Sequence, residues 1–302
     1  MTYPTVDAGT TWLTWTGLET DLIFNHGVDL PGFAAFPLLE TEEGRAWLRK
    51  GYCDLIAVAS QTGCGACLES VTWMANPDRA APLGYGRADL ARVNRDAIAF
   101  MEQITSDVPI CLSAQIGPRG DGYAVGEMTR QSAHDYHLPQ VEMLAATSAH
   151  LLSAFTISST DEATGLVMAA GKTDLPITVA FTVETDGCLP DKTPLAQAID
   201  RVDQATSGGA AYFLINCAHP DHLIGVLDGS APLNRIAGIV ANASRQSHTE
   251  LDEAKVLDDG NPAELGRQLA DIFAAHPWMR VFGGCCGTDM RHMRSIAQAC
   301  TS

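Results

Sequence analysis

MRVFGGCC, residues 279–286, carries a short apolar run of strand character into two adjacent cysteines. The glycines on both sides of Cys285 and Cys286 suggest a close approach to the backbone. Adjacent cysteines make poor disulfide partners because the ring they would close is strained. Seven earlier runs share the strand character: TWLTWTG (11–17), CDLIAVAS (53–60), PICLSAQIG (109–117), HLLSAFTIS (150–158), PITVAFTVE (176–184), AAYFLINCA (210–218) and RIAGIVANAS (235–244). Most are continuously apolar, which suits parallel strands buried on both faces. Helix-like stretches separate them at 39–51, 88–104, 138–149, 161–172, 193–205 and 262–276, with a last one at 288–300. Asp161 and Thr288 are the expected N-caps of two of these. Eight strands, each followed by a helix-sized segment, predict a single-domain α/β (β/α)8 barrel over residues 1–302. A doubly wound open sheet is the alternative, but the count reaches eight and no GxGxxG turn follows the first strand. No further internal repeat and no low-complexity segment is evident.

The formal charge is 19 − 36 = −17, spread along the chain. Such a surface repels phosphate backbones and anionic headgroups, which argues against nucleic-acid and membrane partners. No run approaches the ~18 apolar residues of a transmembrane helix. The N-terminal MTYPTVDAGTTWLTWTG lacks the basic start and apolar stretch of a secretory signal, so a cytoplasmic location is expected. The cysteines at 53, 64, 67, 111, 188, 217, 285, 286 and 300 should then be thiols or metal ligands.

Barrel enzymes place their chemistry at the C-terminal ends of the strands. Cys217 ends the sixth run and Cys285–Cys286 the eighth, so the three can converge above the barrel mouth. Three thiolates around one ion, with a fourth position open, would make a catalytic zinc arrangement. The competing reading is three buried core cysteines.

These residues carry a family resemblance. INC (215–217) with Pro220 beyond it, GGCCGT (283–288), GLETDL (17–22) and IGP (116–118) resemble the pattern of the homocysteine S-methyltransferase family. HDYHLPQVEMLA (134–145) and FTVETDGCLPDKTPL (181–195) match as well, so the resemblance spans nearly the whole chain. It implies that Cys217, Cys285 and Cys286 hold Zn2+. It further implies methyl transfer from a small sulfonium or ammonium donor to a zinc-activated thiol. Zinc would lower the pKa of a thiol that is ordinarily mostly protonated at neutral pH.

The chain departs from the family pattern around the acceptor pocket. The family's Asp-Gly-Gly is Trp15, Thr16 and Gly17 here, and Phe155 stands where a substrate-contacting glutamate is usual. Val58, Ala59, Ser60, Gln61 and Thr62 replace its Thr-Asn-Thr-Tyr-Gln, and Met290 replaces a proline after the cysteine motif. Two acids expected near a substrate ammonium are thus absent, and a buried ammonium needs partners. Glu19 could restore one carboxylate, or be an exposed loop acid. The expected acceptor is therefore a thiol related to homocysteine rather than homocysteine itself. The expected substrate contacts are Trp15, Gly17, Glu19, Thr20, Ser60, Thr62, Gln115, Phe155, Thr182, Asn216, His219 and Asn242.

Cys64-x-x-Cys67, assigned to the loop after the second strand, could be a redox pair, a lid or two loop thiols. His219 could face the site or serve a helix N-terminus. The long acidic loop containing His248 and Glu250 could recognise a cationic donor, or be simply solvated. A single barrel leaves no room for a cobalamin or folate module, so the donor should come from solution. A homo-oligomer is compatible with this reading. The alternative function is a non-catalytic zinc-binding barrel that senses a ligand. An iron–sulfur cluster is less consistent with adjacent ligands lacking the usual spacing.

Overall fold

The computed structural model describes residues 9–301, so part of the leader reading falls on residues 1–8, outside the described residues. Eight parallel strands close into a barrel in sequence order: β1 Trp12–Trp15, β2 Gly65–Glu69, β3 Ile110–Ile116, β4 Leu151–Ile157, β5 Ile177–Thr182, β6 Tyr212–Ala218, β7 Ile236–Ala241 and β8 Val281–Gly284. β8 pairs back onto β1, which excludes the open doubly wound sheet. Seven longer helices surround the barrel: α1 Glu42–Thr62, α2 Arg87–Met101, α3 Arg130–Ala145, α4 Thr160–Ala170, α5 Leu195–Thr206, α6 Pro262–Ala275 and α7 Met290–Thr301. The β6–β7 connection carries two 3-10 turns in place of a helix, Pro220–Leu223 and Ala231–Arg235. Among the described residues no helix is long and apolar enough to cross a membrane.

One strand assignment is corrected. CDLIAVAS lies inside α1, and β2 is the next stretch, GACLE. The helical period is visible once the window is long enough: Gly44, Leu48, Tyr52, Leu55, Ile56 and Ala59 are buried at spacings of three, four and one. Thr41 caps the start through Gly44 N, and Gly63 ends the helix in the left-handed region at φ 71°. A five-residue strand that opens on glycine and closes on glutamate gives almost no apolar signal of its own.

Smaller corrections concern helix starts. α3 begins eight residues before the expected 138, capped by Thr129, with Pro139 tolerated inside it. Ser159, not Asp161, caps α4 by accepting from Glu162 N. Asp289, not Thr288, precedes α7 and accepts from Arg291 N at 2.8 Å.

Two apolar cores result. Leu13, Ala66, Leu68, Ile116, Ile215 and Ile239 pack outward against the helices, while Trp12, Cys67, Cys111, Leu151, Tyr212 and Val281 fill the barrel interior. Between that interior packing and the mouth lies a polar group centred on Glu69. Thr14 Oγ1 donates to Glu69 Oε1 (3.1 Å), Ser153 Oγ donates to Oε2 (2.7 Å), and Ser113 Oγ donates to Ser153 Oγ (2.8 Å). Burial raises the Glu69 carboxyl above its ordinary range, and the hydroxyl donors pull it back down.

Candidate metal centre

Strand alternation alone would hide Cys217. Leu214 and Asn216 face the barrel axis, so the next residue should point outward to the helices. Instead the β6–β7 register shifts between Asn216 and Ala218, and Cys217 adopts φ 54°. This bulge turns the thiol into the interior cluster. Holding a non-glycine residue there costs about 1–3 kcal/mol. Two donors on the Cys217 carbonyl, Asn242 Nδ2 (3.1 Å) and His248 Nε2 (2.8 Å), offset it at about 1 kcal/mol each. Because a carbonyl only accepts, His248 carries a proton on Nε2. β4 has a matching irregularity between Ala154 and Ile157, with Thr156 at φ 62°. Asn216 ties the two bulges together: Thr156 N donates to its Oδ1 (3.0 Å), and its Nδ2 donates to Thr156 Oγ1 (2.9 Å).

Cys285 and Cys286 sit in the turn after β8, and that turn is fastened on several sides. Cys285 N donates to Ala241 O (2.7 Å), Ala243 N to Cys286 O (3.0 Å), and Thr288 Oγ1 to Cys285 O (2.6 Å). Gly287, at φ 78°, donates its N–H to Thr20 Oγ1 (3.1 Å). Thr20 Oγ1 in turn donates to Gly17 O (3.0 Å). A Cβ on Gly17 would collide with the Cys285 carbonyl, so the β1 loop reaches the turn only without a side chain at that position.

The three sulfurs lie within 4.8 Å of one another. Cys217 Sγ is 2.7 Å from Cys285 Sγ and 3.7 Å from Cys286 Sγ. A tetrahedral ion with sulfur bonds of about 2.3 Å has edges of about 3.7 Å. The second distance already fits; the first is shorter, so Cys217 and Cys285 would have to move apart to hold such an ion. Hydrogen bonds from Cys217 and Cys286 hold the Cys285 thiol well below its ordinary range; the bond to Cys285 pushes Cys217 well above it, and bonds to Cys217 and Cys285 do the same to Cys286. Three thiols gathered in contact with one another are a donor set that a divalent cation would satisfy.

A cavity of about 440 Å³ opens above the thiols. Of the expected contacts, Glu19, Thr20, Gln115, Phe155, Asn216 and Asn242 line it. Burial raises Glu19 to about 7, a backbone hydrogen bond opposes this, and the nearby Cys285 charge adds to it. Gly17 shapes the cysteine turn without lining the cavity. Thr182 is fully buried at the end of β5 outside the lining, its hydroxyl without a partner.

Four expectations are corrected by position. Trp15 faces outward, as alternation after the inward Trp12 and Thr14 requires; it packs over Gly51 of α1 and borders an outer groove. Ser60 and Thr62 end α1 at the opposite, N-terminal side of the barrel, where Ser60 Oγ donates to Asp107 and Thr62 Oγ1 to Val58 O. Cys64 precedes β2 and Cys67 lies within it, facing different cores, so neither forms a lid or borders the cavity. His219 serves the helix end: its Nδ1 accepts from Asp221 N (3.1 Å), and burial lowers it to about 4.

Sequence reasoning missed Tyr123 and Trp73. The Tyr123 hydroxyl is 3.1 Å from Cys217 Sγ, and its ring lies 4.3 Å from that of His248. The GDGY turn after β3 was the available signal. Trp73 Nε1 donates to Phe155 O (3.1 Å), fixing an aromatic wall opposite the thiols. Misplacing β2 concealed that residue, because its loop was not recognised as part of the mouth. Glu250 is absorbed by the cap of the short helix His248–Asp252, accepting from Ser247 N (2.8 Å).

A sequence model of the family described as homocysteine S-methyltransferase matches residues 60–300. The S-methylmethionine–homocysteine S-methyltransferase BHMT2 of Pongo abelii is 22% identical over 211 residues, covering 62% of this chain. The chain spans 57% of that relative's length. Among solved structures, the oxidized form of the homocysteine methyltransferase MmuM from Escherichia coli shares the fold at TM-score 0.72 and 17% identity. That match covers 97% of this chain and 96% of the other. The metallated form of the same protein aligns at TM-score 0.66 and 18% identity, with the same coverage. With the three cysteines of its motifs gathered at the barrel mouth, the chain belongs to the homocysteine S-methyltransferase family.

Proposed function

We propose that the protein is a zinc-dependent S-methyltransferase that moves a methyl group from a small sulfonium or quaternary ammonium donor to a thiol. The observation that carries this reading is the convergence of Cys217, Cys285 and Cys286 at the base of a cavity large enough for small-molecule substrates. Zinc held by the three sulfurs would favour the thiolate form of an incoming thiol and leave one position for it. The thiol proton passes to solvent. The donor's C–S or C–N bond then breaks with its electron pair remaining on the donor, as the new S–CH3 bond forms. The chain's own part is alignment and exclusion of water, which needs no protein general base.

The lining suits a cationic donor. Glu19, Asp121, Asp252 and Asp258 border the cavity, and Arg79 is the cation among its described lining residues besides histidine. Burial and the Asp121 charge raise Asp252, and His248 only partly opposes them. Trp73, Tyr123 and Phe155 add aromatic faces, which attract methylated cations. Phe155 offers no charge to a substrate ammonium, which supports an acceptor other than homocysteine. The nine cysteines are free, in keeping with a reducing cytoplasmic setting.

The test is to incubate the zinc-loaded protein with panels of methyl donors and thiols and to follow methylated product. Transfer by the native chain, with Cys217→Ser losing both zinc and transfer, is the expected result. Retention of ligand with no transfer for any pair would favour the non-catalytic sensor instead.

A further inference from the structure

Large apolar side chains left in water are usually scattered over a monomer's surface. Here they are concentrated. The large hydrophobic residues exposed among the described residues are Phe24, Phe33, Val125, Ile224 and Val256, all on loops that follow strand C-termini. Phe24, Phe33 and Val256 also line the cavity above the thiols, joined there by Leu251 and Leu257.

Topology explains how these five residues come to share one side of the mouth. Phe24 and Phe33 lie on the β1–α1 connection, and Leu251, Val256 and Leu257 on the β7–α6 connection. β8 lies between β1 and β7 in the barrel, and its own connection is only the short cysteine turn. The two long connections therefore converge over that turn. Gly287 shows the convergence directly: its N–H donates to Thr20 of the β1 connection, and a Cβ there would meet the Asp258 carbonyl of the β7 connection at 2.8 Å. The apolar wall thus stands above Cys285 and Cys286. Three acids, Glu19, Asp252 and Asp258, share these two connections, while Arg79 and Asp121 lie on the β2 and β3 connections.

Each such side chain gains about 1.5–3 kcal/mol when fully buried, yet Val256 is 78% exposed and Phe24 44% exposed. A ligand passing from the thiols to solvent along this wall would cover them. The carboxylate of an amino acid would find little there to pair with: Arg79, the cation among the described lining residues besides histidine, already donates to the Gly120 carbonyl. We propose that the accepting thiol bears an apolar alkyl or aryl arm, which runs from the cysteines outward between Phe24 and Phe33 on one side and Leu251, Val256 and Leu257 on the other. This inference rests on the thiol-transfer reading of the same site.

The experiment uses the full chain loaded with cobalt(II), whose visible absorption changes when a thiolate binds. Ethanethiol, butanethiol, hexanethiol and homocysteine are titrated in turn. Affinity should rise about three- to fourfold per methylene along the alkyl series, with homocysteine weaker than butanethiol. In a Phe33→Ser, Val256→Ser double variant the rise should flatten, while ethanethiol affinity stays at its native value and so reports an intact site. Homocysteine binding tighter than hexanethiol, a flat alkyl series, or a rise unchanged in the double variant would each overturn the apolar arm and leave thiol transfer standing. A spectrum that no thiol alters would overturn both.

Discussion

The β6–β8 side of the mouth presents three thiols, while the β2–β4 side presents Trp73, Tyr123 and Phe155 above a buried carboxyl. The thiol side is held by backbone devices: a bulge at Cys217, a carbonyl with two donors, and a turn fastened to the end of β7 and to the β1 connection. The opposite side is held by packing and by hydroxyls gathered on Glu69. Geometry that positions a reactive atom and geometry that fills space therefore occupy different arcs of one barrel. Substitutions in the two arcs should separate into effects on metal affinity and effects on stability.

The largest stability effect is expected at Glu69→Ala. It leaves Thr14 and Ser153 donors unpaired in the interior and creates a cavity, so unfolding in denaturant should show a loss of about 3 kcal/mol. Metal affinity should be unchanged; a coupled loss of metal would break the division between the arcs. His248→Ala should do the reverse. With one of two donors gone from the Cys217 carbonyl, competition against a chelator should show metal held ten- to a hundredfold more weakly, at a stability loss of only about 1 kcal/mol.

His219 sharpens the comparison through pH. Burial holds its imidazole at about 4 against an ordinary 6.5, so the folded state keeps it neutral. Its contribution is full above about pH 6.5 and is lost as pH falls toward 4. After allowing for solvent screening, the loss should be about 2 kcal/mol, and His219→Asn should flatten it. An unchanged slope in that variant would remove His219 as the cause. The smallest effect belongs to Ser60→Ala, whose residue lies at the far end of α1. Activity should be native, and stability within about 0.5 kcal/mol.

How much of this was legible follows the same division. Seven of the strands could be placed because parallel strands buried on both faces write themselves as apolar runs. The cysteine trio was legible because its residues sit at strand ends and in a specific motif. β2 was not, because the helix before it carries the stronger apolar run and GACLE carries almost none. Reading the helix as the strand places Ser60 and Thr62 at the wrong end of the barrel and hides Glu69 and Trp73. Trp15 was assigned to the pocket from its motif position, although the period of two turns it outward. The bulges at Thr156 and Cys217 are tertiary in origin: Asn216 links them across β5, a partnership with no local signature.

X-ray absorption at the zinc edge of the loaded protein shows whether a thiol completes a three-sulfur metal site at this mouth. Three sulfurs at about 2.3 Å are expected in the resting protein, becoming four when a bound thiol is added. A shell that keeps three sulfurs with saturating thiol, or one built mainly from nitrogen and oxygen, would contradict it.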